Sequence, residues 1–321
     1  MGDRKVMMGG GVLRSAAVLV LLVLCGAYEG FSPLPVCAAD RTVGVIIPDI
    51  PYYREVHDAL MTRLHRQEDA DVEVVVQRPY PDPISLSNAA RKFIALDVDV
   101  IVTYGVPATL AAQREKTNIP IVYVAAYEPL ASRIRAKNIT GVSARVSVSS
   151  LLRYLRAIIP VTNLGVIYSS NEEDSLYQLR ELQNLSGQYG FRVEEINLRR
   201  PQEAKTVLSG KRPDAIFMTS SSVANMALSA VLEYSREHRI PTASMIPEKS
   251  SPAIITLSSS AKEQGEKAAG MVMKILGGLS PDKIRADSSS EVELVFNLRE
   301  AKERGFKIPM DLITESTRLI Q

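Results

Sequence analysis

Val100-Ile101-Val102-Thr103-Tyr104-Gly105-Val106-Pro107-Ala108-Thr109-Leu110-Ala111-Ala112 reads as a strand that feeds directly into a helix. Val100 to Thr103 are all β-branched, as suits a strand covered on both faces. Pro107 falls in the first helical turn, where its missing N–H would have had no intrahelical acceptor. The spacing predicts a strand over 98–103 and a helix from Pro107 to about Glu115.

The same alternation extends in both directions. Upstream, strands are expected over 43–47 and 72–76, with helices over 53–67 and 86–96. Downstream come strands over 119–125 and 139–142. The rhythm then restarts with strands over 164–168, 191–197, 215–219, 240–244, 253–257 and 292–298, and with helices over 151–159, 175–188, 202–208, 223–234 and 261–276. Such alternation builds parallel sheets with helices on both faces. Two successive sets of about five strands predict an α/β chain of two Rossmann-like lobes.

The N-terminus reads as an export signal over 1–39. Arg4, Lys5 and Arg14 precede an apolar run over 16–24, too short for a membrane span of about 20 residues. Cys37-Ala38-Ala39 offers small residues at the positions a signal peptidase reads, so cleavage is expected before Asp40 and the mature chain is expected to be periplasmic. The alternative is a lipid on Cys37, which Val36 disfavours by its bulk. Cys25 and Cys37 are the only cysteines, so a chain cut before Asp40 has no disulfide and no thiolate nucleophile. The formal net charge is +2, which gives no reason to expect a nucleic acid or an anionic membrane surface as partner.

Enzyme signatures are missing. There is no GxxxxGK[ST] and no GxGxxG. Gly141-Val142-Ser143-Ala144-Arg145 begins like a nucleophile elbow but has Arg145 in place of the second glycine. Ser259-Ser260-Ala261-Lys262 matches S-x-x-K without its companion segments. His57, His65 and His238 are the only histidines, and no two lie at the i, i+4 spacing a metal favours. No catalysis, metal or cofactor is expected.

A ligand is expected where strands end, because helix N-termini point their unpaired N–H groups there. The segments at those ends are Pro48-Asp49-Ile50-Pro51-Tyr52-Tyr53, Tyr104-Gly105-Val106-Pro107-Ala108-Thr109, Ala126-Tyr127-Glu128-Pro129, Tyr168-Ser169-Ser170-Asn171 and Thr219-Ser220-Ser221-Ser222. They are rich in tyrosine and hydroxyls and poor in lysine and arginine. That composition suits a small, partly apolar organic ligand rather than a phosphorylated one.

Several of these segments resemble a family of ABC-transporter substrate-binding proteins that includes tryptophan- and tyrosine-binding members. The 100–112 segment is similar to that family's "IVTxGTPAxxAA". Ile119-Pro-Ile-Val-Tyr-Val, Asn138-Ile-Thr-Gly-Val-Ser, Leu164-Gly-Val-Ile-Tyr and Val295-Phe-Asn-Leu-Arg-Glu-Ala-Lys resemble further family segments in the same order. The resemblance implies a type I periplasmic-binding-protein fold with a three-segment hinge. Crossovers are then expected near 144–147, 250–252 and 286–291. The N-terminal lobe would take 40–145 plus about 252–286, and the C-terminal lobe 146–251 plus about 287–321.

The resemblance further implies a monomer that hands a small solute to an ABC permease and its ATPase. Contact with the membrane would be through the permease, or through a lipid on Cys37. The implied contacts are Gly105, Pro107 and Thr109 from one lobe, with Ser169, Ser170, Asn171, Thr219, Ser220 and Ser221 from the other. Asp49, Tyr52, Tyr53, Tyr104 and Tyr127 join them from the strand-end reading. Ser220 stands where many members carry an aspartate that could pair with a ligand amine; Glu128 either takes over as the ammonium partner or points to solvent. A ligand carboxylate is expected at the helix start around Thr109. Two other readings share these features: an exported ligand-sensing domain feeding a signalling partner, and a secreted hydrolase with an unrecognised site.

Overall fold

The computed structural model describes residues 41–66, 72–246 and 253–321. The expected export signal, both cysteines and the expected 250–252 crossover lie outside the described residues.

The first sheet contains β1 (Arg41–Ile46), β2 (Val72–Gln77), β3 (Val100–Tyr104), β4 (Ile121–Ala126), β5 (Ile139–Ser143) and β11 (Asp287–Ser288), in the order β11-β5-β4-β3-β1-β2. All its pairings are parallel. Around it lie α1 (Pro51–His65), α2 (Pro83–Ala95), α3 (Gly105–Arg114) and α9 (Ala261–Leu276). Every residue of β3 and β4 is buried, as expected of parallel strands covered on two faces.

The second sheet contains β6 (Asn163–Tyr168), β7 (Arg192–Asn197), β8 (Ala215–Met218), β9 (Thr242–Ser244), β10 (Ile255–Ser259), β12 (Val292–Asn297) and β13 (Arg318–Ile320), in the order β13-β12-β10-β9-β8-β6-β7. Only the β10–β12 pairing is antiparallel. Its helices are α4 (Val148–Ile158), α5 (Glu173–Tyr189), α6 (Ala204–Leu208), α7 (Ser222–Met226), α8 (Leu228–Glu237), α10 (Leu298–Glu303) and α11 (Met310–Glu315). The single helix expected over 223–234 is two, parted at Ala227, where the backbone has ψ 0°.

One expectation about the division of the chain needs correction. Residues 253–259, expected in the first lobe, form β10 of the second sheet, between β9 and β12. The chain passes from second sheet to first layer at Ser259–Ser260, where the Ser260 hydroxyl accepts the Glu263 N–H and caps α9. Gly265 then lets α9 lie directly on α1, since a Cβ there would collide with the Val56 carbonyl oxygen. The helix therefore follows the first layer and its preceding strand the second.

Three strands of chain now run between the layers: 144–147 after β5, 259–260 after β10, and 289–291 between β11 and β12. The first turn of α9 holds all three. Gln264 Nε2 donates to the Ser143 carbonyl at 2.7 Å, and the Ser260 N–H donates to the Glu291 carbonyl at 2.9 Å. The Glu263 carboxylate accepts the N–H groups of Ser290 and Glu291, the hydroxyls of Ser289 and Ser290, and Lys267 Nζ. Burial raises its pKa, but those donors outweigh burial and hold it far below the usual carboxylate range.

Candidate ligand-binding cleft

The C-terminal ends of strands from both sheets converge on one cavity of about 20 Å³. Tyr52 and Tyr53 reach it from the start of α1, Ala125 from β4, and Tyr127, Ala144 and Val146 from the chain flanking the first crossover. Ser220, Met245, Ile246, Ser258 and Ser259 close it from the second sheet. A volume near 20 Å³ accommodates roughly one water, whereas small-ligand sites span about 300–1,000 Å³. A solute can therefore enter only if the two walls separate.

The tyrosines form a wall of neutral phenols. Tyr53 packs between Tyr52 and Tyr104, with ring centroids 6.2 and 5.9 Å away. Tyr52 Oη lies 2.7 Å from Ser259 Oγ and donates to the Ser259 carbonyl at 3.1 Å, a bond from the first layer to the second. Tyr127 Oη spans the first crossover to the Val146 carbonyl at 3.0 Å. Burial raises all four hydroxyls far above the ordinary phenol value, so none ionises near neutral pH. Ala125 sits at φ 56° and donates its N–H to Gln264 Oε1 at 3.1 Å. This left-handed alanine at the cavity wall is strained backbone held by a neighbour.

The expected site residues divide into several groups. Tyr52, Tyr53, Tyr127 and Ser220 line the cavity. Tyr104 stands behind Tyr53, with its hydroxyl 3.0 Å from His57 Nδ1. Gly105 opens α3 at φ 79°, and a Cβ on it would collide with Tyr53 Oη. Pro107 follows in the first turn of α3. Thr109 is fully buried, bonded to the Gly105 carbonyl at 2.8 Å and to Thr103 Oγ1 at 2.9 Å. Its hydroxyl is thus engaged by the protein itself.

Asp49 is exposed and pairs with Arg54 at 3.5 Å. Glu128 lies in a separate, charged groove, 2.6 Å from Arg145 Nε. It does not line the cavity. In the second layer, Ser169 and Thr219 are buried and both tied to Ser175: Ser169 through its N–H at 3.0 Å, and Thr219 through its hydroxyl at 2.8 Å. The Ser170 N–H donates to Asn197 Oδ1 at 2.9 Å, Asn171 is exposed, and Ser221 caps α7.

Sequence reasoning missed the start of α5. Gln178 Oε1 accepts the N–H of Ser220, a cavity residue, at 2.7 Å. Beside it, Glu172 and Asp174 are buried at 2 % and 3 % exposure. Asn171-Glu172-Glu173-Asp174 passes for an ordinary helix start, where acidic residues are favoured by the dipole. Nothing in that run announces burial. Ser258 and Ser259 also line the cavity and were not among the expected site residues.

Comparison with known proteins gives the fold a context. The model of a family described as ABC transporter substrate binding protein matches residues 56–320. A tyrosine-binding protein of Clostridioides difficile is 23 % identical over 241 residues, covering 72 % of this chain and 70 % of its own length. A conserved domain protein of Vibrio cholerae superposes with TM-score 0.83 at 20 % identity, over 88 % of this chain and 100 % of its own. A Streptococcus ABC domain in complex with L-Trp superposes with TM-score 0.81 at 19 % identity, over 87 % of this chain and 99 % of its own. The architecture shared with these structures is the type I periplasmic-binding-protein fold.

Proposed function

Since the chain belongs to the ABC transporter substrate-binding protein family, we propose that it is the extracytoplasmic solute-binding component of an importer, taking an amino-acid-like or aromatic solute into the cleft between its two sheets. The observation that carries this reading is the cavity itself. Strand ends from both sheets supply neutral tyrosine faces and serine hydroxyls to one small volume, with three crossovers close at hand to act as a hinge. Solute contacts to both walls favour the closed arrangement, and the free protein opens by rotation about the crossovers. The closed form is what a permease and its ATPase would recognise. Export by the N-terminal segment fits this role, and among the described residues no helix is long and apolar enough to cross a membrane. A binding role needs no catalytic group.

The test is a thermal-shift screen of the purified chain against amino acids, aromatic amines and acids, sugars and metal ions. A solute at 100 times its Kd stabilises by about 2.7 kcal/mol, which for a chain of this size raises Tm by roughly 5–10 °C. The expected result is such a rise with amino-acid-like or aromatic solutes, lost in Tyr53→Ala and Tyr127→Ala. Stabilisation by sugars or metal ions alone contradicts the assignment.

A further inference from the structure

The start of α5 carries chemistry that the cavity wall alone does not explain. Glu172 Oε1 accepts the Ser222 N–H at 3.1 Å, while its Oε2 has no hydrogen-bond partner. Asp174 Oδ1 has none either, nor has Gln178 Nε2 one residue-turn further along the helix. Ser169 Oγ and Ser220 Oγ, on the adjoining loops, are likewise unpartnered. Among the described residues no ion pair involves Glu172 or Asp174. A buried carboxylate without a cation is costly, and a second beside it more so.

What faces this pair from the first layer is Tyr53. Asp174 and Glu172 both act on its hydroxyl, and the Ser222 side chain stands next to it. Helix α3 packs against α5 on the same side. Neither Glu172 nor Asp174 is among the residues that line the closed cavity; a cation would reach them once the walls separate, with Tyr53 facing the pair from the first layer. Among the described residues no lysine or arginine lines the cavity, and Tyr53 Oη covers Gly105 at the start of α3.

We propose that Glu172 and Asp174 are the receptor for a protonated amine on the solute, so that the ammonium is the group this cleft selects. This rests on the cleft being the binding site and adds the chemical class of what it binds. Free amines and amino acids share that group. Burial, followed for Glu172 by the Asp174 charge and for Asp174 by the Glu173 charge, raises the pKa of both carboxylates. An ammonium between them supplies a counter-charge that none of the described residues provides.

Isothermal titration on the purified chain tests this with three probes: L-tyrosine; tyramine, which keeps the amine and lacks the carboxylate; and 3-(4-hydroxyphenyl)propionate, which keeps the carboxylate and lacks the amine. At least one amine-bearing probe is expected to bind, and the deaminated acid to bind at least 100-fold more weakly. Asp174→Asn and Glu172→Gln are each expected to weaken amine binding 10-fold or more, with Tm in the absence of solute unchanged or raised. Relative affinity for tyramine and L-tyrosine separates a free amine from an amino acid. The proposal is overturned if the deaminated acid binds as tightly as its amine counterparts, or if both variants keep wild-type affinity. If that happens while Tyr53→Ala abolishes binding, the cleft remains the site and only the ammonium assignment falls. Binding indifferent to Tyr53→Ala, Tyr127→Ala, Asp174→Asn and Glu172→Gln removes both.

Discussion

Glu300→Ala is expected to lower the melting temperature by roughly 10 °C. Glu300, near the start of α10, is 2 % exposed and accepts hydrogen bonds from Arg304 Nη2 at 2.9 Å and from Arg236 Nε at 3.1 Å. Arg304 is itself buried, and its Nη1 donates to Ser235 Oγ at 2.6 Å, the Ile240 carbonyl at 3.0 Å and Thr242 Oγ1 at 3.3 Å. Burial raises the Glu300 pKa, but the two arginines outweigh it and hold it below the usual range. This network ties α10 to α8 and to the entry of β9. Removing the carboxylate strands a guanidinium in the interior without its counter-charge, a loss of about 3–5 kcal/mol. At roughly 2–4 °C per kcal/mol for a chain of this size, the fall should be plain in a thermal melt. Replacing both partners, as Glu300→Leu with Arg304→Met, should cost less than the single change, because no uncompensated charge remains. A loss under 1 kcal/mol for Glu300→Ala would show that the pair is not the clamp described here.

The solute-free protein is expected to lose stability as pH rises from the ordinary carboxylate range toward neutrality. Glu172 and Asp174 have raised pKa values in the folded state. Between the unfolded and folded values, the folded chain holds protons that the unfolded chain has released. Unfolding then sheds protons, so its free energy falls as pH rises, by up to about 1.4 kcal/mol per pH unit for each carboxylate. The groups acting on the pair are Glu173 beside them and the Ser175, Ser221, Ser222 and Val223 donors, with neutral Tyr53 opposite. None is a cation that could cancel the effect. Urea unfolding between pH 5 and 8 should show the decline, and Asp174→Asn should flatten it. An equal pH dependence in wild type and variant would place the source elsewhere.

The sequence made the layers legible and left their partnership hidden. Strand and helix types follow from local periodicity, and every expected strand has a counterpart in the sheets. Which sheet a strand joins is a non-local matter. Residues 253–276 look like an ordinary strand-to-helix unit, yet β10 pairs with β9 and β12 while α9 packs on α1. The close approach that decides this involves Gly265 and the Val56 carbonyl, 209 positions apart in number and invisible to periodicity. β11 is two residues long, too short to leave a pattern.

The site was half legible for the same reason. The strand-end positions of the tyrosines and serines follow from topology. Tyr52, Tyr53, Tyr127 and Ser220 accordingly line the cavity. The buried acids were not found, because acidic residues at a helix start are ordinarily solvated. Asp174 is buried while its neighbour Glu173 is not, a difference set by tertiary packing that no local pattern records. Glu128 follows β4 as expected, and its carboxylate pairs with Arg145 on the first crossover, away from the cavity lining.

The most direct measurement is a crystal structure of the chain with the tightest-binding solute from the thermal-shift screen. The account predicts that solute between Tyr53 and Tyr127 on one wall and Ser220 on the other, with its amine toward Glu172 and Asp174 and the cavity enlarged around it. A solute seated in the charged groove beside Glu128 and Arg145, or touching residues of one sheet only, would contradict it.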